Sequence, residues 1–154
     1  MATLYLSLGT NLGDRQSNLE TARTLIGQTI GTIQATSGVM ETEPWGFDSP
    51  NSFLNMALAV NTELSPMEAL KATQTIEKEM GRRNKSRNSH YSDRIIDIDL
   101  IMYDNQVTDL PRLKIPHPLM HQRRFVLEPL SEIAPDLMHP VLHKTVREML
   151  EEIS

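Results

Sequence analysis

The order in which apolar residues repeat along the chain constrains its fold more than any other feature. Alternation of apolar and polar residues predicts strands, whereas apolar residues three or four positions apart predict amphipathic helices. By this criterion the sequence predicts a strand, a helix, two strands, a second helix and a further strand, in that order. These elements are expected at Leu4–Leu8, Arg15–Ile26, Ile33–Glu41, Phe53–Thr62, Ser65–Met80 and Ile95–Tyr103.

Residues with a strong capping preference indicate where the helices begin. Asp14 is a candidate N-cap of the first helix, and residues 65–68 combine a capping box with proline at the first helical position. A second capping box at residues 145–148 predicts a terminal helix. Two short helices are expected before it, near residues 120–127 and 130–134.

The element order β-α-β-β-α-β is typical of the split βαβ, ferredoxin-like arrangement. We therefore predict an α+β fold in which helices pack on an antiparallel sheet, followed by a C-terminal helical extension. A chain of 154 residues can bury roughly 68–70% of its unfolded surface. Because no linker rich in Pro, Gly or Ser divides the sequence, one domain spanning residues 1–154 is expected.

The net charge of −5 hides an asymmetry along the chain. Residues 82–124 contain nine of the fifteen Lys and Arg residues and five acidic residues, so this stretch carries +4 and the remainder −9. An acidic protein with one basic stretch is a poor candidate for sequence-independent nucleic-acid binding. It is better suited to a focused site that attracts a small polyanion.

The cysteine count and the hydropathy pattern exclude several classes of protein. With no cysteine the chain has no disulfide framework, thiolate metal site or cysteine nucleophile, which fits a cytoplasmic location. No stretch approaches about 18 consecutive apolar residues, and residues 1–13 lack the basic and apolar regions of a signal peptide. We expect neither secretion nor contact with a membrane.

The sharpest local feature is the pair of carboxylates in the predicted strand at residues 95–103. The alternation places Asp97 and Asp99 on one face and Ile96, Ile98 and Leu100 on the other. Carboxylates about 6.6 Å apart at their attachment points can converge on hard cations such as Mg²⁺. The pattern also suits the solvated face of an amphipathic strand, although Asp is uncommon in strands.

A basic segment, residues 82–94, comes directly before these carboxylates. It has no apolar period, and long segments of this kind are typical of functional loops. Arginine binds phosphate through paired, charge-assisted hydrogen bonds, so the segment suits either a phosphate clamp or a solvated loop. Further along the chain, His117 (flanked by prolines) and Arg123 can add phosphate contacts. Together these residues favour a nucleotide phosphate site.

A second kind of site is indicated by aromatic and amide side chains. Phe53 and Asn55 share one face of a predicted strand, which places an aromatic plane beside an amide able to bind the edge of a heterocycle. Asn is uncommon inside strands, and a polar edge position is the other interpretation. Trp45 and Phe47 suit either a stacking surface or packing in the core.

Taken together, the motifs resemble those of the 6-hydroxymethyl-7,8-dihydropterin pyrophosphokinase family of folate biosynthesis. They occur in family order along almost the whole chain: Ser7–Asp14 (SLGTNLGD), Thr42–Pro44 (TEP), Phe53–Asn55 (FLN), Gln74 and Glu77, Gly81–Arg82, Arg94–Leu100 (RIIDIDL) and Ile115–Pro118 (IPHP). The resemblance implies an enzyme that transfers the diphosphate group of ATP to the pterin hydroxymethyl group and releases AMP. It also implies a monomer with small-molecule substrates.

The resemblance further implies a role for each matching residue. Asp97 and Asp99 match positions that hold two Mg²⁺ ions, and Arg82 and Arg94 match two catalytic loop arginines that stabilise charge on the transferring group. Positions that match the ATP site are Gln74, Glu77, Leu100, Arg112, Lys114, His117 and Arg123. Positions that match the pterin pocket are Thr42, Pro44, Trp45, Phe53, Asn55, Tyr91 and Phe125.

Two other classes of function remain open at the level of sequence. A non-catalytic sensor on the same scaffold would bind a nucleotide or pterin without turnover, because this architecture supports many functions. A metal-dependent phosphohydrolase would use water as its nucleophile, and an aromatic pocket would then have no role. The paired carboxylates beside the basic segment favour the enzyme that transfers diphosphate.

Overall fold

The computed structural model of the chain describes residues 1–43, 51–81 and 95–154. Its main sheet is antiparallel, and its strands lie in the order β2-β4-β1-β5, with the short strand β3 also paired to β4. A separate hairpin is formed by β6 and β7. The strands are β1 (Ala2–Thr10), β2 (Gly31–Thr36), β3 (Met40–Thr42), β4 (Phe53–Thr62), β5 (Asp97–Tyr103), β6 (Thr108–Leu110) and β7 (Leu113–Ile115).

Four α-helices are present in the described ranges: α1 (Arg15–Thr29), α2 (Pro66–Glu79), α3 (Arg124–Ile133) and α4 (Val146–Ile153). A 3₁₀ turn at Met120–Gln122 comes before α3. The predicted caps are confirmed: the Asp14 side chain accepts from the Ser17 amide at 3.1 Å, and both capping boxes are formed. No helix in the described ranges is long and apolar enough to cross a membrane.

This arrangement confirms the predicted α+β, ferredoxin-like fold. Strand β4 lies between β1 and β2, so the β1-α1-β2 unit is split by an antiparallel strand. Helices α1 and α2 pack on one face of the sheet, where Leu4, Leu6 and Leu8 of β1 are fully buried. The predicted alternation of β1 is therefore present, but the strand extends beyond Gly9 to Thr10.

The opposite face of the sheet is covered over part of its area by α3 and α4. Here Tyr5 and Ala57 pack with Val126 and Met149 of the two helices. The pairing of β1 with β5 shifts between Tyr5 and Leu6, so β5 contains a bulge, and both Ile101 and Met102 face these helices. The remainder of this face, toward the C-terminal end of β1, is left open and carries polar side chains.

Three predictions of secondary structure were wrong in detail. The expected strand at residues 33–41 is divided into β2 and β3, because Ser37 accepts the Ala57 amide through its hydroxyl and interrupts the ladder. The two short helices expected after residue 120 are a 3₁₀ turn and one helix, α3, which continues through Pro129. The hairpin of β6 and β7 was not anticipated, because each of its strands has only three residues.

Candidate functional site

The open part of the sheet forms the floor of a cavity, which we call the aromatic cavity. Two rows of residues cross three strands here: Asn55, Gly9 and Asp97 form one row, and Ala57, Ser7 and Asp99 form the next. Since side chains alternate between the faces of a strand, all the polar members of these rows point to the same side. The cavity is lined by Ser7, Gly9, Thr42, Glu43, Phe53, Asn55, Asp97, Asp99, Arg123 and Phe125.

The walls of the aromatic cavity come from two different elements. Phe53 begins β4, and Phe125 lies in the first turn of α3. Both rings are partly exposed and both line the cavity. Arg123 precedes α3, is 5% exposed, and places its guanidinium carbon 5.5 Å from the centre of the Phe125 ring. A flat, uncharged ring system would find two aromatic surfaces and a cation at this position.

Asn55 is held in one orientation by its neighbours. Its side-chain nitrogen donates to the Thr42 hydroxyl at 2.7 Å and to the Met40 carbonyl at 3.4 Å. Because the amide nitrogen is directed at β3, the amide oxygen is the atom left for the cavity. An Asn that is 3% exposed and anchored in this way is suited to accept a hydrogen bond from a heterocyclic N–H.

A second cavity, which we call the hairpin cavity, lies on the other side of β5. It is bounded by β5, by Leu70 of α2 and by the β6–β7 hairpin with the proline-flanked turn that follows it. Its lining residues are Leu70, Ile98, Asp99, Leu100, Pro111, Arg112, Leu113, Lys114, His117 and Pro118. The cavity therefore contains four of the residues predicted to lie on the ATP side: Leu100, Arg112, Lys114 and His117.

Asp99 lines both cavities, and Asp97 lines the aromatic cavity. The predicted alternation of β5 is confirmed, because Ile96, Ile98 and Leu100 are at most 5% exposed and belong to the core. The two carboxylates are thus presented by one short strand where the two cavities adjoin. A group that spans both cavities would pass beside them.

The outer edge of β5 is held by hydrogen bonds from outside the sheet. The Ile98 amide donates to Glu77 Oε2 of α2 at 2.8 Å, and the His117 amide donates to the Ile101 carbonyl at 2.9 Å. Glu77 is 8% exposed, and its bond falls between the two aspartates in sequence. Glu77, predicted as an ATP contact, therefore binds the strand that carries the carboxylates. Gln74 lies exposed on the same helix.

His117 is held in a defined tautomer. Its Nδ1 accepts the Leu119 amide at 3.2 Å, so the proton of the neutral ring is on Nε2. Burial and the nearby Arg123 guanidinium lower the pKa of His117 to about 4, although Asp97 opposes this shift. The imidazole is consequently neutral near pH 7 and offers an N–H donor without adding charge.

Several predicted site residues lie outside the described ranges, namely Pro44, Trp45, Arg82, Tyr91 and Arg94. Among the described residues, the structure brings Thr42, Phe53, Asn55 and Phe125 together in the aromatic cavity, as expected for one pocket. Arg123 was predicted on the ATP side, and the structure places it in the aromatic cavity.

In the aromatic cavity, three lining residues were not predicted from the sequence: Ser7, Gly9 and Glu43. The signal for the first two was present, because both alternate with Leu6 and Leu8 and so lie on the face opposite the buried leucines. A Cβ at Gly9 would lie 3.3 Å from Asn55 Oδ1, which is a tight approach, and 3.5 Å from the Phe53 ring, which is an ordinary contact. The glycine therefore leaves room beside the Asn55 side chain.

The carboxylates of the site suit magnesium better than a metal whose ligands all come from the protein. Within the described ranges no three or more His, Cys, Asp or Glu side chains form a metal-sized group. Mg²⁺ is commonly held by one or two carboxylates together with waters and substrate phosphates, whereas zinc needs three or four protein ligands. Asp97 and Asp99 provide two carboxylates beside both cavities, which fits magnesium delivered with a phosphate substrate.

The chain is similar in sequence to known proteins of one family. Residues 5–135 match the sequence model of the family described as 7,8-dihydro-6-hydroxymethylpterin-pyrophosphokinase (HPPK). Proteins named 2-amino-4-hydroxy-6-hydroxymethyldihydropteridine pyrophosphokinase are similar to this chain. The protein from Porphyromonas gingivalis is 48% identical over 141 residues, covering 91% of this chain and 95% of the relative. The protein from Aquifex aeolicus is 38% identical over 152 residues, covering 99% and 92%.

Solved structures with the same fold include HPPK-DHPS proteins. A crystal structure of Plasmodium falciparum HPPK-DHPS with pteroate superposes with a TM-score of 0.81 at 18% identity, covering 98% of this chain. An HPPK-DHPS structure in complex with substrates gives a TM-score of 0.78 at 17% identity. This chain spans 44% and 43% of those two solved chains. At these identities the similarity shows the shared fold.

Proposed function

The chain belongs to the 7,8-dihydro-6-hydroxymethylpterin-pyrophosphokinase family, and we propose that its two adjoining cavities each bind one substrate. It is an ATP-dependent pyrophosphokinase of folate biosynthesis, which transfers the diphosphate group of ATP to the hydroxymethyl group of 6-hydroxymethyl-7,8-dihydropterin and releases AMP. In the proposed arrangement the pterin occupies the aromatic cavity and ATP the hairpin cavity. The observation that carries this assignment is that Asp99 lines both.

The aromatic cavity provides what a pterin requires. The rings of Phe53 and Phe125 can cover a flat heterocycle, and the Asn55 oxygen accepts from one of its N–H groups. Thr42 acts through Asn55, because its hydroxyl fixes the amide. We include Pro44, Trp45 and Tyr91 in the same pocket on the resemblance alone, since they lie outside the described residues.

The hairpin cavity provides cationic and N–H donors for ATP. Arg112 and Lys114 of the hairpin carry positive charge, and His117 offers its Nε2–H. Gln74 and Glu77 lie on the neighbouring helix α2, and Leu100 lines the cavity beside Asp99. Arg123 lines the aromatic cavity together with both carboxylates, so it adds a positive charge on the pterin side.

Asp97 and Asp99 are the residues we propose to hold two Mg²⁺ ions. Bound magnesium supplies charge neutralisation for the ATP phosphates, which lowers the barrier to in-line attack at phosphorus. The chain's own contribution is positioning: β5 presents both carboxylates where the pterin hydroxymethyl group and the ATP phosphates would meet. Arg82 and Arg94, outside the described residues, are proposed to stabilise charge on the transferring group.

The same proposal includes the organisation of the protein. We propose one domain, because the helix pairs on both faces share a single sheet. A monomer is proposed on the resemblance, and sedimentation at working concentration would test it. A cytoplasmic location is proposed on the cysteine-free composition.

The proposed function is tested by following the products formed from ATP. Purified protein should form AMP only when both 6-hydroxymethyl-7,8-dihydropterin and Mg²⁺ are supplied. Asp97→Asn and Asp99→Asn should each lower turnover by at least about 100-fold, because a single lost charge or metal contact in such a site typically costs several kcal/mol. Thermal unfolding would verify that both variants are folded, and the exposed Asp136→Asn is the matched control.

The products also discriminate the alternatives. Formation of ADP, or of phosphate without a pterin requirement, would indicate a kinase of another type or a phosphohydrolase. Binding of pterin and ATP without turnover would indicate a sensor. Retention of most activity in both aspartate variants would contradict the metal-binding role.

A further inference from the structure

A network of three side chains lies beside the aromatic cavity and is not part of its lining. Arg15 Nη1 donates to Glu41 Oε2 at 3.1 Å, to the Ser52 carbonyl at 3.0 Å and to the Ser52 hydroxyl at 3.1 Å. The Ser52 hydroxyl also donates to Glu41 Oε2 at 2.5 Å. One guanidinium at the start of α1 thus connects β3 to the residue that precedes β4.

Each end of this network is adjacent in sequence to a residue of the aromatic cavity. Glu41 precedes Thr42, and Ser52 precedes Phe53; Thr42 and Phe53 are partners across the β3–β4 ladder. Because neighbouring residues in a strand point to opposite faces, Glu41 points away from the cavity while Thr42 points toward it. The network therefore links β3 and β4 on the face of the sheet opposite the aromatic cavity.

Strand β3 forms few hydrogen bonds within the sheet. It contains three residues, pairs only with β4 among the described strands, and lies at the edge of the sheet. Short edge strands have few ladder hydrogen bonds, so side-chain contacts contribute a large share of their order. The orientation of Asn55 depends on β3, because both of its described donor contacts are to Met40 and Thr42.

An exposed ion pair by itself would carry little weight. The side chains of Arg15 and Glu41 are 33% and 57% exposed, and exposed pairs often contribute nothing measurable. This network differs because the same guanidinium also binds a backbone carbonyl and a hydroxyl, which fixes its position relative to both strands. The bonds to Ser52 and Arg15 lower the pKa of Glu41, consistent with a carboxylate held in its charged form.

We propose that Arg15 and Glu41 are positioning residues for the pterin, which fix Thr42 and Phe53 from the back of the pocket and thereby keep the Asn55 amide in its binding orientation. The inference rests on the proposed assignment of the pterin to the aromatic cavity. It assigns a binding role to residues that do not touch the substrate. ATP binding in the hairpin cavity should be independent of them.

The test is a steady-state comparison of full-length variants with both substrates varied. Arg15→Ala should raise the KM for the pterin by about 5- to 10-fold, as expected for losing a charge-assisted hydrogen-bond network. The KM for ATP and kcat should stay within about twofold of wild type. The pterin KM of Arg15→Lys should lie between those of wild type and Arg15→Ala. An ammonium keeps the charge but cannot reproduce the several hydrogen bonds of the planar guanidinium. Glu41→Gln should raise the pterin KM by a smaller factor, about two- to threefold.

The chain offers a matched control on the same helix. Arg23 forms an exposed ion pair with Glu20 at 2.9 Å, within α1, and in the described ranges no hydrogen bond or ion pair joins it to β3 or β4. Arg23→Ala removes a comparable charge and should leave both KM values unchanged. Calorimetric titration with 6-hydroxymethylpterin gives a second measurement that does not need turnover, and thermal unfolding verifies that each variant is folded.

Two results would overturn the positioning role. One is an unchanged pterin KM and pterin affinity in Arg15→Ala; the other is an equal rise in both KM values, which would indicate general loosening of the fold. If the wild-type protein binds pterin and forms AMP, and Arg15→Ala does both equally well, the positioning role alone is overturned. Wild-type protein that does neither overturns the proposed function and this inference together.

Discussion

At the scale of single residues, the hairpin cavity contains a cation whose charge is already balanced. Lys114 lines the cavity, and its ammonium pairs with the carboxylate of Asp109, directly opposite on the β6–β7 hairpin. The bond lowers the pKa of Asp109, because Lys114 stabilises the charged carboxylate. Both side chains are more than half exposed, at 51% and 79%. A phosphate that binds Lys114 must therefore compete with Asp109.

This competition leads to a prediction for Asp109→Asn. Removing the carboxylate frees the Lys114 charge for ATP and removes a negative charge that is paired with a residue of the cavity, so the KM for ATP should fall by about two- to fivefold. The free energy of unfolding should change little, because the pair is exposed. Steady-state kinetics with ATP varied and urea unfolding are the measurements. A KM for ATP that rises instead would show that the pair supports the ATP site.

At the scale of elements, the site depends on how β5 is held between its neighbours. On one side β5 pairs with β1, which places Asp97 and Asp99 opposite Gly9 and Ser7. On its other side β5 contacts Glu77 of α2, whose carboxylate accepts a hydrogen bond from the Ile98 amide. An edge strand leaves backbone groups unpaired unless something covers them. Helix α2 therefore completes the strand that presents the carboxylates.

Glu77→Ala should consequently weaken both the fold and the site. The Ile98 amide would lose a buried acceptor, which costs about 1–3 kcal/mol of unfolding free energy, and β5 would no longer be fixed beside α2. Glu77→Gln keeps an acceptor oxygen and should lose less. Urea denaturation measures the stability and AMP formation measures the activity, with the exposed Glu79→Ala as the control on the same helix. Equal stability of Glu77→Ala and Glu79→Ala would contradict this role of Glu77.

At the scale of the whole molecule, the C-terminal layer contains a buried histidine that resists protonation in the folded state. His139 is 5% exposed, and its Nδ1 accepts the amides of Val141 and Leu142 at 3.2 and 3.0 Å. Burial, with smaller contributions from His121 and His143, lowers the pKa of His139. The folded protein therefore keeps this ring neutral at pH values where an unfolded histidine is already protonated.

The sign of the resulting pH dependence follows from this difference. Above the unfolded pKa of about 6.5 both states are neutral and His139 contributes nothing. Below it the unfolded chain takes up a proton that the folded chain resists, so the free energy of unfolding should fall as the pH drops. His117 adds a loss of the same sign, since its pKa is also lowered.

Urea unfolding between about pH 7.5 and pH 5.5 measures this loss of stability. His139→Asn, which cannot take up a proton, should reduce the pH dependence, although the variant loses stability at neutral pH. His143→Asn should change the pH dependence less than His139→Asn, because His143 is exposed and makes only a smaller contribution to the His139 pKa, and Asn tolerates the positive φ of 57° at this position. An identical pH dependence in wild type and His139→Asn would contradict the assignment.

Much of the fold was readable from local patterns, and the errors have physical reasons. The capping boxes, the ends of α2 and the limits of β4 agree with prediction because each depends on residues close together in sequence. The division of the expected strand at residues 33–41 was missed because it depends on the Ser37 hydroxyl bonding Ala57, a contact across the sheet. The β6–β7 hairpin was missed because strands this short have no detectable period.

The sequence by itself determined the order β-α-β-β-α-β of the main elements, the face of β5 that carries Asp97 and Asp99, and the basic stretch at residues 82–124, because periodicity and charge are local properties. Only the tertiary structure decided which side chains meet. The strand order places Asn55, Gly9 and Asp97 in one row, Asp99 beside two cavities, and Arg15 behind the pocket. These contacts join residues far apart in sequence, so they are set by strand pairing and packing rather than by any local pattern.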